Sequence, residues 1–254
     1  KAKIITDAFF NSVGGKDQFD EVSILLDRTD KEDPGSNEEA MASLRVSVKS
    51  KNADLVGKMF SAKMIELALA NYPGFFIGGA VRSGGPVLVY WPALIDSKHI
   101  SETVHFDGKE TTILPTNQLG LEETYYQKQP IDIQPAPSDP SIKMPLGELF
   151  GARSGDKGGC ANIGVWAKTE NAYSFLNECL TVKKIKELMP DLAEFQIDRY
   201  ELPNILSLNF YIHGILEDGV SSNTRKDGQA KSLGEYLRAK YIEIPKSLIK
   251  EKEA

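Results

Sequence analysis

Apolar and polar residues alternate at Val22, Ile24 and Leu26, and again at Leu44, Val46 and Val48 against Arg45, Ser47 and Lys49. A period of two turns one side of a strand to a core and the other to water, so both stretches predict half-buried strands. Residues 29–37 between them form a polar loop of turn formers, Pro34-Gly35 at its centre. Asn52 or Asp54 then offers a helix cap, and Val56, Met59, Phe60, Met64, Leu67 and Ala68 recur at three- and four-residue spacing. That spacing predicts an amphipathic helix, stopped at Tyr72-Pro73-Gly74. Phe75, Phe76 and Ile77 would open a return strand, making residues 44–77 a strand–helix–strand unit. The apolar run at 87–91 predicts a buried strand ended by Pro92. Residues 103–113 predict a hairpin turned at Asp107-Gly108. Gly78-Gly79 and Gly84-Gly85 around Arg82 read as a mobile connection.

The patterning lapses over 127–145, where Pro130, Pro135, Pro137, Pro140 and Pro145 oppose both helix and central strand. This stretch is expected to be a Pro-rich linker between a first part, 1–126, and a second, 146–254. The second part opens with an expected strand at 146–152, a glycine-rich loop at 151–159 and a strand at 163–168. Ala172, Phe175, Leu176 and Cys179 share a helix face; Thr181 caps a further turn with Val182, Ile185 and Leu188, ended by Pro190. Phe195 and Ile197 mark a strand, and Leu206, Leu208, Phe210 and Ile212 another, with a helix as the alternative for the latter. A last helix at 230–239 and a short strand at 241–244 close the chain. Two passes of strand, helix and strand imply a ferredoxin-like α+β sandwich after a partial α/β domain.

Composition narrows the function classes. The 254 residues carry a formal charge of −6, with 30 Lys and Arg against 36 Asp and Glu. The basic residues are dispersed, and the one cluster, Lys183, Lys184 and Lys186, reads as the wet face of a helix. Nucleic acid is therefore not an expected partner, since phosphate binding needs concentrated positive charge. Two cysteines, Cys160 and Cys179, fit neither a disulfide framework nor zinc spacing, so no metal and no cofactor are expected. No apolar run approaches the roughly 20 residues of a spanning helix, and no signal-peptide pattern opens the chain; a cytoplasmic protein without membrane partners is the expectation.

Candidate chemistry gathers in the glycine-rich stretch. Gly151, Gly155, Gly158 and Gly159 permit close backbone approach, Arg153 and Lys157 supply positive charge, Ser154 a hydroxyl and Asp156 a carboxylate. Backbone N–H groups with Arg and Lys suit a phosphate or carboxylate. The spacing is neither that of a P-loop nor of a dinucleotide fingerprint. A tight β-hairpin in which Arg153 and Asp156 satisfy backbone groups is the competing reading. His213, on the polar side of its segment beside Asn209 and Tyr211, is a candidate acid or base or a hydrogen-bonded surface histidine. His99 and His105 show no ligand pattern. Arg225 and Lys231 flank a charged turn where either Asp227 caps the last helix or Arg225 and Lys231 reach an anion at its start. Cys160, with no histidine near it in sequence, is a poor nucleophile candidate.

The run from Ala152 through Arg153-Ser154-Gly155-Asp156-Lys157-Gly158-Gly159-Cys160-Ala161-Asn162-Ile163-Gly164 to Val165 resembles the signature of the acyclic terpene utilisation family, AtuA-like. The resemblance continues through Leu202-Pro203-Asn204, Leu208-Asn209-Phe210, His213-Gly214 and Asp227-Gly228-Gln229-Ala230-Lys231-Ser232-Leu233-Gly234. Upstream it takes in Val56-Gly57, Phe60, residues 66–75 and Val89-Tyr90-Trp91-Pro92-Ala93. Cys160 departs from the small polar residue, Asn or Thr, that the resemblance leads one to expect. It implies the end of a larger α/β domain followed by a small ferredoxin-fold domain, in keeping with the absent initiator Met. It also implies a place in the breakdown of acyclic terpenoids or branched-chain compounds through acyl-CoA intermediates.

Two functions follow as expectations. In the first, the chain carries out a hydratase or lyase step on an acyl-CoA or other anionic small molecule. Arg153, Ser154, Lys157, Asn162, Arg225 and Lys231 would then bind substrate, and Asp156 and His213 would move protons. In the second, the C-terminal part is a non-catalytic module for a homo-oligomer or a carboxylase-type partner. A pocket joining Arg153, Asp156, Lys157 and His213 would favour the first; a flat apolar surface beside an unpaired sheet edge would favour the second.

Overall fold

The computed structural model describes residues 1–70, 72–79, 84–113 and 133–253. Arg82 and residues 127–132 of the expected linker lie outside the described residues. The chain divides into two compact units, Lys1–Val87 and Leu88–Ala254.

The first unit begins with a helix absent from the sequence-based expectation, α1 (Ala2–Ser12), whose Ile5, Phe9 and Phe10 are buried. The strands β1 (Glu21–Asp27) and β2 (Ser43–Lys49) pair antiparallel, Ile24 opposite Val46. The expected helix forms in two pieces, α2 (Ala53–Val56) and α3 (Lys58–Leu69), broken at Gly57. Asn52 caps α2 by accepting the Asp54 N–H. Phe9, Phe10, Val13 and Phe19 form the core, with Phe60 edge-on to Phe9 at 4.7 Å. The return strand expected at 75–77 does not form: the Phe75 N–H closes a turn onto the Tyr72 carbonyl, and Phe76 is exposed.

The expected buried strand at 87–91 is an exposed, irregular segment; Trp91 is 85% exposed. An apolar run specifies a strand only if a partner strand covers it; here the Tyr90 N–H bonds instead to the Asp218 carbonyl, 3.1 Å. The hairpin forms as expected, β3 (Glu102–Phe106) with β4 (Lys109–Ile113), Asp107 and Gly108 both at positive φ.

The Pro-rich stretch is not all linker. Ser141–Pro145 is β5, paired antiparallel with β10 (Tyr241–Pro245), with Pro145 and Pro245 each ending its strand. Residues 146–148 make a single 3-10 turn rather than a strand. The glycine-rich "loop" is mostly strand: β6 (Gly151–Lys157) and β7 (Cys160–Trp166) form a hairpin closed by Gly158 and Gly159. Glycine content alone suggested a loop, but Ala152, Ser154 and Asp156 alternate with the small or charged positions, and period two prevails.

Two helices follow, α4 (Glu170–Cys179), capped by Thr169, and α5 (Val182–Leu188), capped by Thr181. Then come β8 (Ile197–Leu202), later than its expected start, and β9 (Ser207–Ile212), which the helical alternative is now excluded for. The four-stranded sheet has the order β6-β7-β9-β8, every neighbouring pair antiparallel. β7 and β8 are therefore parallel, joined across the helices, with β9 inserted between them: a split β-α-β unit. β6 takes the fourth place, beside β7. Two short helices, α6 (Leu233–Arg238) and α7 (Lys246–Glu253), bracket β10.

One face of this sheet makes the core. Ala161, Ile163, Val165, Leu208, Phe210 and Ile212 are fully buried with Leu176, Leu180 and Ile185 from the helices. The residues alternating with them face away. That open face carries Arg153, Lys157, Asn162 and His213 among the candidate residues.

Candidate functional site

Antiparallel register fixes which side chains share a face, because directly opposed residues point the same way. Gly155 opposes Asn162, and Lys157 opposes Cys160; Asn162 opposes Tyr211, which opposes Asp198. Arg153, Lys157, Cys160, Asn162, Asn209, Tyr211, His213 and Asp198 thus belong to the open face, and Ser154 and Asp156 to the covered one.

The candidate residues separate accordingly. Ser154 accepts the Gly234 N–H at 2.8 Å and so fastens α6 to β6; a Cβ on Gly234 would stand 3.2 Å from the Arg153 backbone. Asp156 pairs with Lys231 at 3.3 Å. A hydrogen bond with its own backbone N–H, then the Lys231 ammonium, hold the Asp156 carboxyl below the usual carboxylate range. Asp227 does not cap α6 itself but organises the turn before it, receiving the N–H groups of Lys231 and Ser232 and the Ser232 hydroxyl. Burial is the largest influence on the Asp227 carboxyl and pushes it up, but those hydrogen bonds, with the Arg225 charge, bring it below its ordinary value. Ser154 and the Asp156–Lys231 pair therefore tie β6 to α6 and the turn before it, and Arg225 lies within that turn, its charge felt by Asp227.

On the open face His213 Nε2 lies 2.7 Å from Asp198 Oδ2, and the His213 backbone N–H donates to the Gln196 carbonyl. The hydrogen bond from His213, then that from Gln196, keep Asp198 below the usual carboxylate range. The Tyr211 ring stands edge-on to the imidazole, centroids 4.8 Å apart. Its hydroxyl is bonded to Cys160, which, ahead of burial, pushes Tyr211 up and keeps it protonated. The Gly214 N–H also reaches Cys160 Sγ, at 3.4 Å. Asn162 Nδ2 donates to Asn209 Oδ1 at 2.8 Å, filling the middle of the face. Arg153 and Lys157 lie exposed on the edge strand, two strand spacings, or about 10 Å, from β9.

The arrangement supplies a carboxylate-oriented imidazole, a neutral phenol and, at a distance, two cations. Asp156 and His213 do not meet, since they face opposite sides of the sheet. Cys160, far from any histidine in sequence, is brought beside His213 by the β7–β9 register. Asp198 and Tyr211 were missed as functional candidates. Their signal was the period-two alternation that puts Asp198 on the polar side of β8 and Tyr211 on that of β9, legible only once β8 is known to neighbour β9. Among the described residues no group of three or more His, Cys, Asp or Glu side chains is placed to hold one metal ion, and no helix is long and apolar enough to cross a membrane.

A cleft of about 430 Å³ lies elsewhere, lined among others by Gly151, Trp166, Lys168 and Arg238. Arg153, Asp156, Lys157 and His213 do not line it.

Residues 144–243 match the family model described as the AtuA ferredoxin-like domain, and residues 1–106 match that of the acyclic terpene utilisation family protein AtuA. Comparison with curated proteins and with solved structures gives no match.

Proposed function

Since the chain belongs to the AtuA-like family of acyclic terpene utilisation, we propose that it performs a hydratase or lyase step on a terpenoid or branched-chain acyl-CoA. The observation that carries this reading is the 2.7 Å contact between His213 and Asp198 on the open sheet face. An ionised Asp198 takes the Nε2–H and leaves the Nδ1 lone pair as base, the orienting role a carboxylate plays beside a catalytic imidazole. Nδ1 removes a proton from water as its oxygen bonds to the β-carbon of an enoyl thioester. The electron pair moves to the thioester as an enolate, the Tyr211 hydroxyl protonates the α-carbon, and the phenolate regains its proton from the His213 imidazolium. The reverse sequence is the lyase direction. Arg153 and Lys157 attract the anionic portion of the substrate at the sheet edge. Asp156, on the other face, positions Lys231 rather than moving a proton.

In the full protein acting on a branched enoyl-CoA, His213→Asn is expected to lower kcat by about 10²- to 10⁴-fold with folding unchanged. Asp156→Asn is expected to keep kcat within a few-fold. Turnover by His213→Asn at the wild-type rate would sink the assignment.

The second reading, a seat for a carboxylase-type partner or a second copy, is favoured by Tyr200, Leu202 and Ile205, which are 51%, 41% and 65% exposed on and just after the β8 edge strand. Tyr200→Ser with Leu202→Ser separates the two: loss of assembly with turnover intact selects this role for the β8 edge and leaves the His213 site standing.

A further inference from the structure

The open face of the four-stranded sheet changes character from one end to the other. Register sorts it into rows of side chains that share the face. At the end that holds His213 the row is polar: Asn162, Tyr211 and Asp198 lie side by side across β7, β9 and β8. The next row is Gly164, Asn209 and Tyr200, and the last is Trp166, Ser207 and Leu202. Trp166 is 37% exposed, and Tyr200 and Leu202 more so, while the positions between them carry only small side chains. A Cβ on Gly164 would meet only the Arg153 carbonyl oxygen, at 3.8 Å, so the face above it is open. Tyr200 is the diagonal neighbour of Tyr211, within reach for aromatic side chains. The apolar end therefore continues directly from the proposed reacting groups.

This gradient distinguishes between occupants. A protein surface broad enough to cover Tyr200 and Leu202 would extend over the Asp198–His213 pair and strip it of water, at a cost in desolvation. A wholly polar ligand would leave Trp166, Tyr200 and Leu202 unused. A molecule that is polar at its reacting end and hydrocarbon beyond it fits both ends. Leu202 lies four residues, about 13 Å, along β8 from Asp198, which sets the length of chain the face can cover. Arg153 and Lys157 stand on β6, at the far edge of the sheet from β8. An anionic portion drawn to β6 and a hydrocarbon portion laid along β8 and β9 would thus leave His213 in different directions.

We infer that the strip bounded by Trp166, Tyr200 and Leu202 binds the branched hydrocarbon chain of the acyl substrate and sets the preferred chain length. Tyr200 meets the carbons next to the reacting ones, and Leu202 and Trp166 meet the far end. Gly164, which has no side chain to exclude it, leaves room for a methyl branch. The strip names the specificity determinants of the His213 site and rests on the proposed function for the identity of the chain.

The test is calorimetric titration of the full protein with isobutyryl-CoA and dimethyloctanoyl-CoA, both saturated and so able to bind without hydration or elimination. The longer chain is expected to bind at least about tenfold more tightly. Tyr200→Ser with Leu202→Ser is expected to reduce that preference to within about twofold, leaving the affinity for isobutyryl-CoA unchanged. Ile205→Ser, on the same edge but in the turn Pro203–Ile205 beyond the paired rows, is expected to keep it. Circular dichroism on each variant controls for folding. Equal affinities in the wild type, a preference kept in the double variant, or one lost equally in Ile205→Ser overturns the strip. A preference kept while sedimentation shows assembly lost gives the β8 edge to a protein partner instead. Chain-length-dependent binding that vanishes in the double variant, without turnover of any branched enoyl-CoA, supports the strip and overturns the proposed reaction alone. Turnover of a long branched enoyl-CoA with an unchanged KM in the double variant overturns the strip alone.

Discussion

Gly159 stands so close to the Glu217 carbonyl that a Cβ there would lie 2.1 Å from its oxygen, while the Gly159 carbonyl accepts the Leu216 N–H. The backbone of the hairpin turn and that of the 214–219 turn are in direct contact, with no room for even a methyl group. Gly159→Ala is expected to destabilise by about 2–3 kcal/mol, as overpacking against rigid backbone does. Gly214→Ala meets open space and carries only the strain of φ +68°, about 1–2 kcal/mol. Chemical denaturation of the two variants measures the contrast; equal losses would show that close packing at Gly159 is relieved by backbone shift. Sequence made both glycines visible but could not rank them, because the atoms that crowd Gly159 come from a segment 58 residues onward. His213 was legible as a polar position beside Asn209 and Tyr211. Its partner Asp198 was not, since the pairing that unites them is a product of strand order.

At the scale of elements, the alternation of apolar residues located β1, β2, β9, β10 and the helices α3 to α6 closely. It failed where composition pulled against it. The glycines of β6 suggested a loop, and the prolines around β5 a linker, yet both segments pair as strands because a partner supplies the hydrogen bonds. The run at 87–91 erred the other way, apolar enough for a buried strand but exposed where no strand covers it among the described residues. The turn before α6 yields a pH signature. Asp227 is held below the ordinary carboxylate value near about 3.9. Its contribution is therefore complete above that pH and is lost as pH falls through the lower folded value. Asp227→Asn is expected to melt below wild type at pH 7, with the gap closing as pH falls below the ordinary carboxylate value. A gap that stays constant across that range would show that the carboxylate's ionisation plays no part in holding the turn.

For the whole molecule, the two compact units differ greatly in what they bury. The first holds a small aromatic core around Phe9, Phe10, Val13 and Phe19, while the second buries both the sheet face and the helices packed on it. Opening free energy follows buried apolar contact. Amide protons of β7 and β9 are expected to exchange at least about tenfold more slowly than the best protected ones of residues 1–87, as hydrogen exchange would record. Equal protection would mean that the units unfold as one. Sequence anticipated an α/β part and an α+β part; the bond from the Tyr90 N–H to the Asp218 carbonyl, far along the chain, was not legible in it.

The pairing of β5 with β10 has a consequence for how this domain can be handled by evolution or by design. Ser141 lies opposite Pro245, so the two ends of the stretch 141–245 adjoin on one ribbon. A module whose ends adjoin can be spliced into a host loop, or reopened at a new position and rejoined, without rerouting its interior. β6, preceding the split β-α-β unit yet filling the place of its fourth strand, is what such a cut-and-rejoin event would leave behind.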